Sequence, residues 1–153
     1  MRLYLVHHGE AVPPGVDPQR PLSEGGSASV EQLAEKAAMQ GAKPAVVWHS
    51  GKLRARQTAE AFWRACNALA DISAARGLQP ADPPDRVAVE LSSEASADDP
   101  RDIMLVGHMP HIQRLLSLLV EGTSDGTTTF PAHGIVALKP KDHEWVECWR
   151  LEG

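Results

Sequence analysis

Three short apolar runs in this chain each stop at histidine, and that recurrence limits the folds open to it. Leu3-Tyr4-Leu5-Val6 ends at His7-His8-Gly9, Ala45-Val46-Val47-Trp48 at His49-Ser50-Gly51, and Asp102-Ile103-Met104-Leu105-Val106 at Gly107-His108. Short β-prone runs without polar alternation suit strands buried on both faces. Helical spacing fills the intervals. Val30, Leu33, Ala34, Ala37 and Ala38 follow a candidate N-cap, Ser23, and stop at Gly41. From about Leu53, a stripe of Ala59, Phe62, Trp63, Cys66, Leu69 and Ala70 predicts a long helix reaching into the seventies, broken by Gly77 and the proline-rich stretch 80–84. Val87-Ala88-Val89 is predicted as a short strand, and 92–101 as loop with a turn of helix at most. Pro110 fits the first position of a further helix, with Ile112, Leu115, Leu116 and Leu119 on its buried face and Gly122 at its end. Gly134 to Leu138 and Trp145 to Trp149 read as a terminal hairpin joined through 139–144.

The predicted order is βαβαβ(βα)ββ. It implies a three-layer α/β/α sandwich whose central sheet is mostly parallel, with an antiparallel C-terminal hairpin, all within one domain of residues 1–153. A net charge of -5 argues against broad nucleic-acid or membrane-surface binding. The start carries no basic segment followed by a long apolar core, and no run is long enough to span a bilayer, so a cytoplasmic protein is expected. Cys66 and Cys148 are too few for a disulfide framework or a cysteine metal site, and Cys66 is expected as a buried free thiol.

In a parallel sheet the carboxyl ends of the strands lie on one edge. That gathers His7, His8, His49, Ser50 and His108, with Arg54 joining from the helix after the second run and Arg20 from the loop after the first. The sum is a small basic pocket in an acidic protein, suited to a compact anion, with phosphate the leading candidate. His111 follows His108 by one helical turn, but no H-E-x-x-H motif and no third ligand of clear spacing accompany the pair, so no metal is assigned. His133 is placed at the border of the pocket, His143 in an exposed turn and Arg56 on a helix surface.

Four segments carry a resemblance: His8-Gly9-Glu10-Ala11, Arg20-Pro21-Leu22-Ser23, Ser50 with Leu53-Arg54-Ala55-Arg56-Gln57-Thr58-Ala59, and Val106-Gly107-His108-Met109-Pro110. In this order and context the chain resembles the histidine phosphatase, or phosphoglycerate-mutase-like, superfamily, and within it the SixA-type phosphohistidine phosphatases. The resemblance implies that His8 is the nucleophile and is transiently phosphorylated. It implies that Arg54 and His108 hold the phosphoryl oxygens, with His7, Gly9, Arg20 and Ser50 binding substrate and no metal or organic cofactor. The chemistry agrees, because phosphoryl transfer needs an in-line nucleophile and fixed positive charge around the equatorial oxygens.

The chain departs from the family at His7, where relatives carry arginine. An arginine is a permanent cation with a fork of donors, whereas histidine offers fewer donors and a charge that titrates near neutrality. A phosphate affinity that weakens as pH rises is the expectation from this exchange. Glu94 is the candidate general acid for an ester leaving group, and a phosphohistidine substrate depends less on such an acid. Two classes stay open. One is a metal-independent phosphatase acting on a phosphorylated protein histidine or a small phosphomonoester, as a monomer or weak dimer. The other is a weak or inactive module that binds phosphate or phosphoprotein, its usual arginine lost to His7.

Overall fold

The computed structural model describes residues 1–153. The chain runs β1 (Leu3–His7), α1 (Glu24–Met39), β2 (Val46–His49), α2 (Leu53–Cys66), β3 (Asp71–Ala74), α3 (Asp85–Ala95), β4 (Ile103–Gly107), α4 (His111–Glu121), β5 (Ile135–Lys141) and β6 (Glu144–Leu151). Six strands form one sheet in the order β3-β2-β4-β1-β5-β6. The first four are parallel and β5–β6 is an antiparallel hairpin, with β5 antiparallel to β1. This is the mixed α/β/α sandwich that the alternation of runs implied.

Side chains alternate across the pleat, so each central strand feeds two cores. Leu3 and Leu5 of β1, with Ile103 and Leu105 of β4, meet Val87 and Leu91 of α3 and Ile112, Leu115 and Leu116 of α4. Tyr4 and Val6, with Met104 and Val106, meet Val30, Leu33 and Ala37 of α1 and Ala55, Ala59 and Phe62 of α2. No helix is long and apolar enough to cross a membrane.

Two expectations fail, for identifiable reasons. The predicted strand at Val87-Ala88-Val89 is helical: Val87 and Leu91, four residues apart, share the buried stripe of α3 while Val89 is exposed. Residues 92–95, within the stretch allowed one turn of helix, are the last turn of the same helix. The long second helix stops at Cys66, where Asn67 takes an extended conformation and its side-chain amide donates to the Pro44 carbonyl. Leu69, placed on the apolar stripe, is 95% exposed. The chain then enters the edge strand β3, largely exposed and without the apolar run that marked β1, β2 and β4. Elsewhere the differences are small. Ser23 caps α1 by accepting from the Gly26 N–H at 2.9 Å, Pro110 stands one residue before α4, and the hairpin strands are longer than expected. Cys66 is half-buried rather than fully enclosed, and burial pushes its thiol up to about 11.

Gly26 sets how closely α1 approaches the loop leaving β1. A Cβ at this position would lie 2.1 Å from the Glu10 carbonyl oxygen, two residues beyond His8. That oxygen is fixed by the Ser23 N–H at 2.9 Å. Gly26→Ala is therefore expected to destabilise the chain by about 1–3 kcal/mol, read as a lower denaturant midpoint. An unchanged midpoint would show that the loop yields freely.

Candidate active site

The ladder registers bring the histidines together. His7 of β1 lies level with Gly107 of β4, so His8 and His108 leave neighbouring parallel strands side by side. The His8 N–H donates to the Gly107 carbonyl at 3.0 Å, and the two rings have centroids 4.9 Å apart. His49 lies level with Val106, which delivers Ser50 to the same rim. Its hydroxyl lies 2.6 Å from Nε2 of His108. The Lys52 N–H donates to that hydroxyl at 3.3 Å, and in the tautomer where the Ser50 O–H donates to Nε2 the proton of His108 sits on Nδ1. That Nδ1 is buried without a partner.

His8 is held in one tautomer. Its Nδ1–H donates to the Gly9 carbonyl at 2.7 Å, which leaves the lone pair on Nε2. The Gly9 N–H donates to Thr58 Oγ1 at 3.0 Å, and the Thr58 hydroxyl donates to the Arg54 carbonyl at 2.8 Å. One threonine thus ties the residue after His8 to the first turn of α2. Gly9 serves packing as well: a Cβ there would lie 2.4 Å from Val30 Cγ2. Its amide, expected on substrate, is committed to Thr58.

Arg54 and Arg20 supply the positive charge. Neither forms an ion pair with a carboxylate of the chain, and Arg54 Nε is buried without a partner. Arg54 is held below the usual guanidinium range by burial and then by Arg20. Both cations also act on His8. Arg20 reaches this position from a backbone of φ 50°, with its Nε donating to the Val12 carbonyl at 3.1 Å. Two mutually repelling guanidiniums near His108, whose Nδ1 has no partner, are chemically suited to a compact anion.

His7 does not behave as the titrating cation expected from the sequence. The His133 backbone N–H donates to its Nδ1 at 2.8 Å, so the ring keeps its proton on Nε2. Burial, then the neighbouring His8 and His133, lowers its pKa to about 3. His7 is a neutral single donor, and a fall in phosphate affinity with rising pH does not follow from it. Glu94, the candidate general acid, is ion-paired with Arg101 at 3.2 Å and lines a groove with Trp48, Arg76, Arg86 and Glu90 that shares Arg76 and Arg86 with the cleft beside Ser50. It makes no hydrogen bond to the histidines. His49 accepts the Gly51 N–H on Nδ1 at 3.0 Å, a loop contact, and Arg56 pairs with Glu60 on the surface of α2.

His133 is the residue that the sequence placed only at the border. Its ring stacks on His7 with centroids 4.6 Å apart and planes 10° from parallel. Its Nδ1–H donates to the His8 carbonyl at 2.7 Å. The signal lay in the topology: β5 is antiparallel to β1, so the residues just before β5, His133 and Gly134, meet the end of β1.

Burial lowers His8 to about 4 and His108 to about 3, so these rings and His7 are neutral at pH 7. Their folded pKa values lie below the ordinary 6.5, so the unfolded chain binds more protons once pH falls beneath that value. Stability is fully present above about pH 6.5 and drains away towards pH 4. Between pH 7 and pH 5 the loss is expected to be roughly 1–2 kcal/mol for each of the three. Urea titrations at both pH values measure it, and equal stabilities would mean that the rings are better solvated than their burial implies.

Known proteins share this fold. The sequence profile of the histidine phosphatase superfamily (branch 1) matches residues 3–82, a little over half of the chain. No curated protein matches significantly. Among solved structures, the protein histidine phosphatase SixA complexed with tungstate superposes with a TM-score of 0.86 at 21% identity, over 99% of this chain and 97% of that one. A protein from Agrobacterium tumefaciens assigned as phosphohistidine phosphatase SixA gives 0.76 at 28% identity, with the same coverage of 99% and 97%. Phosphoserine phosphatase from Entamoeba histolytica, in complex with 3-phosphoglyceric acid, gives 0.74 at 13% identity over 99% and 97%. The matched segment carries His8, Arg20, Ser50 and Arg54, and the fold that unites them is shared along the whole length: the chain belongs to the histidine phosphatase superfamily.

Proposed function

We propose that this protein is a metal-independent phosphatase that hydrolyses phosphohistidine, or another phosphomonoester, through a phosphohistidine intermediate on His8. The observation that carries the reading is the Nδ1–H bond of His8 to the Gly9 carbonyl, which presents an unprotonated Nε2 beside Arg54, Arg20 and His108. In the first step Nε2 attacks phosphorus in line, the P–N or P–O bond to the leaving group breaks, and that group takes the electron pair. In the second step water attacks the phosphoryl group, the new P–N bond breaks, and inorganic phosphate leaves with the neutral imidazole restored. Arg54, Arg20 and the Nδ1–H of His108 hold the equatorial oxygens throughout. His7 adds one neutral donor.

Phosphohistidine is favoured over esters because no carboxyl group takes part in the cluster. Glu94 is engaged with Arg101, and an imidazole leaving group demands less of an acid than an alkoxide does. The Agrobacterium tumefaciens relative carries the same assignment. In this reading residues 1–153 act as a single catalytic domain in the cytoplasm, as a monomer or weak dimer, with a phosphorylated protein histidine or a small phosphomonoester as partner.

Brief incubation with a phosphohistidine protein, quenching in base and mapping of the labelled peptide tests the proposal. Phosphate on His8 that is acid-labile and base-stable supports it, and label on any other residue refutes it. The neutral His7 favours a second reading, a phosphoprotein-binding module with slow or no turnover. Tight binding without phosphate release would establish that alternative.

A further inference from the structure

We propose that His7, His8 and His133 form a binding site for a divalent transition-metal ion of the zinc type, and that occupancy of this site blocks the reaction. One ring nitrogen from each of the three lies within 4.8 Å of the others. Imidazole nitrogens bind Zn²⁺ in the ring plane at about 2.0–2.1 Å, so the His7 ring must turn out of its parallel stack on His133 for three of them to meet one ion, with water or an anion oxygen as the fourth ligand.

Two of the three ligands are preset. The Nδ1–H groups of His8 and His133 both donate to backbone carbonyls, of Gly9 and His8, at 2.7 Å. That pattern leaves the lone pair on Nε2, as it does for histidines in metal centres. His7 must adjust. Its Nδ1 accepts the His133 N–H, so a metal at Nε2 displaces a proton and gives up that hydrogen bond. Arg54 and Arg20 also oppose an incoming cation, and an anionic fourth ligand offsets part of that repulsion. The site is therefore a moderate-affinity, reversible one rather than a structural metal centre.

The inhibitory part rests on the function proposed above, since a metal on Nε2 of His8 takes the lone pair that attacks phosphorus. The binding part does not, and is tested separately from activity. Zn²⁺ is titrated into the full chain in competition with a chromophoric chelator, and Co²⁺ binding is followed by its visible spectrum. One ion per chain is expected, with the intense d–d bands of a tetrahedral cobalt site. His133→Asn is the variant of choice, because residue 133 has φ 52° and asparagine tolerates that conformation. It is expected to weaken binding at least about tenfold, as is His7→Arg, while His143→Asn in the exposed hairpin turn leaves it unchanged. Binding without saturation at one ion, octahedral cobalt spectra, or equal affinity in His133→Asn and His7→Arg to that of the unaltered chain would overturn the site. Stoichiometric binding that leaves phosphate release unaffected would overturn the blocking role alone.

Discussion

His8→Ala is expected to abolish turnover, with kcat/KM for a phosphohistidine protein or an aryl phosphate falling by roughly four orders of magnitude or more. The residue does two things that no neighbour can take over. In the proposed mechanism it supplies the attacking lone pair, and it carries the phosphoryl group between the two steps. His7 keeps its proton on Nε2 and faces the His133 amide with Nδ1, and His108 is joined to Ser50. Neither is poised to substitute. The residue is 9% exposed, so removal of its ring leaves a cavity, and the variant's melting temperature must be recorded beside its rate. Phosphate affinity should survive in part, because Arg54, Arg20 and His108 remain. A folded His8→Ala protein that still releases phosphate at a comparable rate would rule out the covalent route.

Arg54→Ala is expected to lower kcat/KM by about 10²–10³-fold, the usual cost of removing one preorganised charge from a transition state. Arg54 stands in the first turn of α2, and its backbone carbonyl is the anchor for Thr58, which in turn receives the Gly9 N–H. The charge is thereby indexed to the loop that follows His8. Arg54→Lys separates charge from shape: a lysine restores a point charge but not the planar fork of donors, so part of the loss should persist, chiefly in kcat. With His7 neutral, the positive field comes from Arg54 and Arg20, with Lys52 acting on His108, and the penalty should fall within that range. A loss below about threefold in Arg54→Ala would remove this residue from the phosphate site.

Legibility in the sequence followed the amount of burial. β1, β2 and β4 are enclosed on both faces, so their sequences are apolar runs that end abruptly, and the residues at those ends can be grouped from pattern alone. β3 is an edge strand with three of four residues exposed. Exposure frees its sequence from any apolar requirement, so Asp71-Ile72-Ser73-Ala74 carries no strand signal, and the helical stripe of α2 extends falsely across it. The misplaced strand at Val87 has the opposite cause: two β-branched residues in a triplet mimic a strand, and only the spacing of Val87 to Leu91 shows the helix. The site was half visible. His8, Arg54, Ser50 and His108 sit at the ends or starts of strongly patterned elements. His133 does not, and its contact with His7 and His8 depends on the antiparallel return of β5 beside β1, a pairing that local pattern does not encode. The neutrality of His7 was likewise out of reach, because it depends on a backbone amide 126 positions along the chain.

β1 is hydrogen-bonded along both sides, to β4 and to β5, and each neighbour delivers a histidine to the end of it. A strand sewn in on two seams cannot fray by itself. The edge strand β3 or the tip of the hairpin can come loose while the reacting imidazole stays in register. The proposed catalytic geometry is thus less exposed to partial opening of the molecule than the edge strand or the hairpin tip.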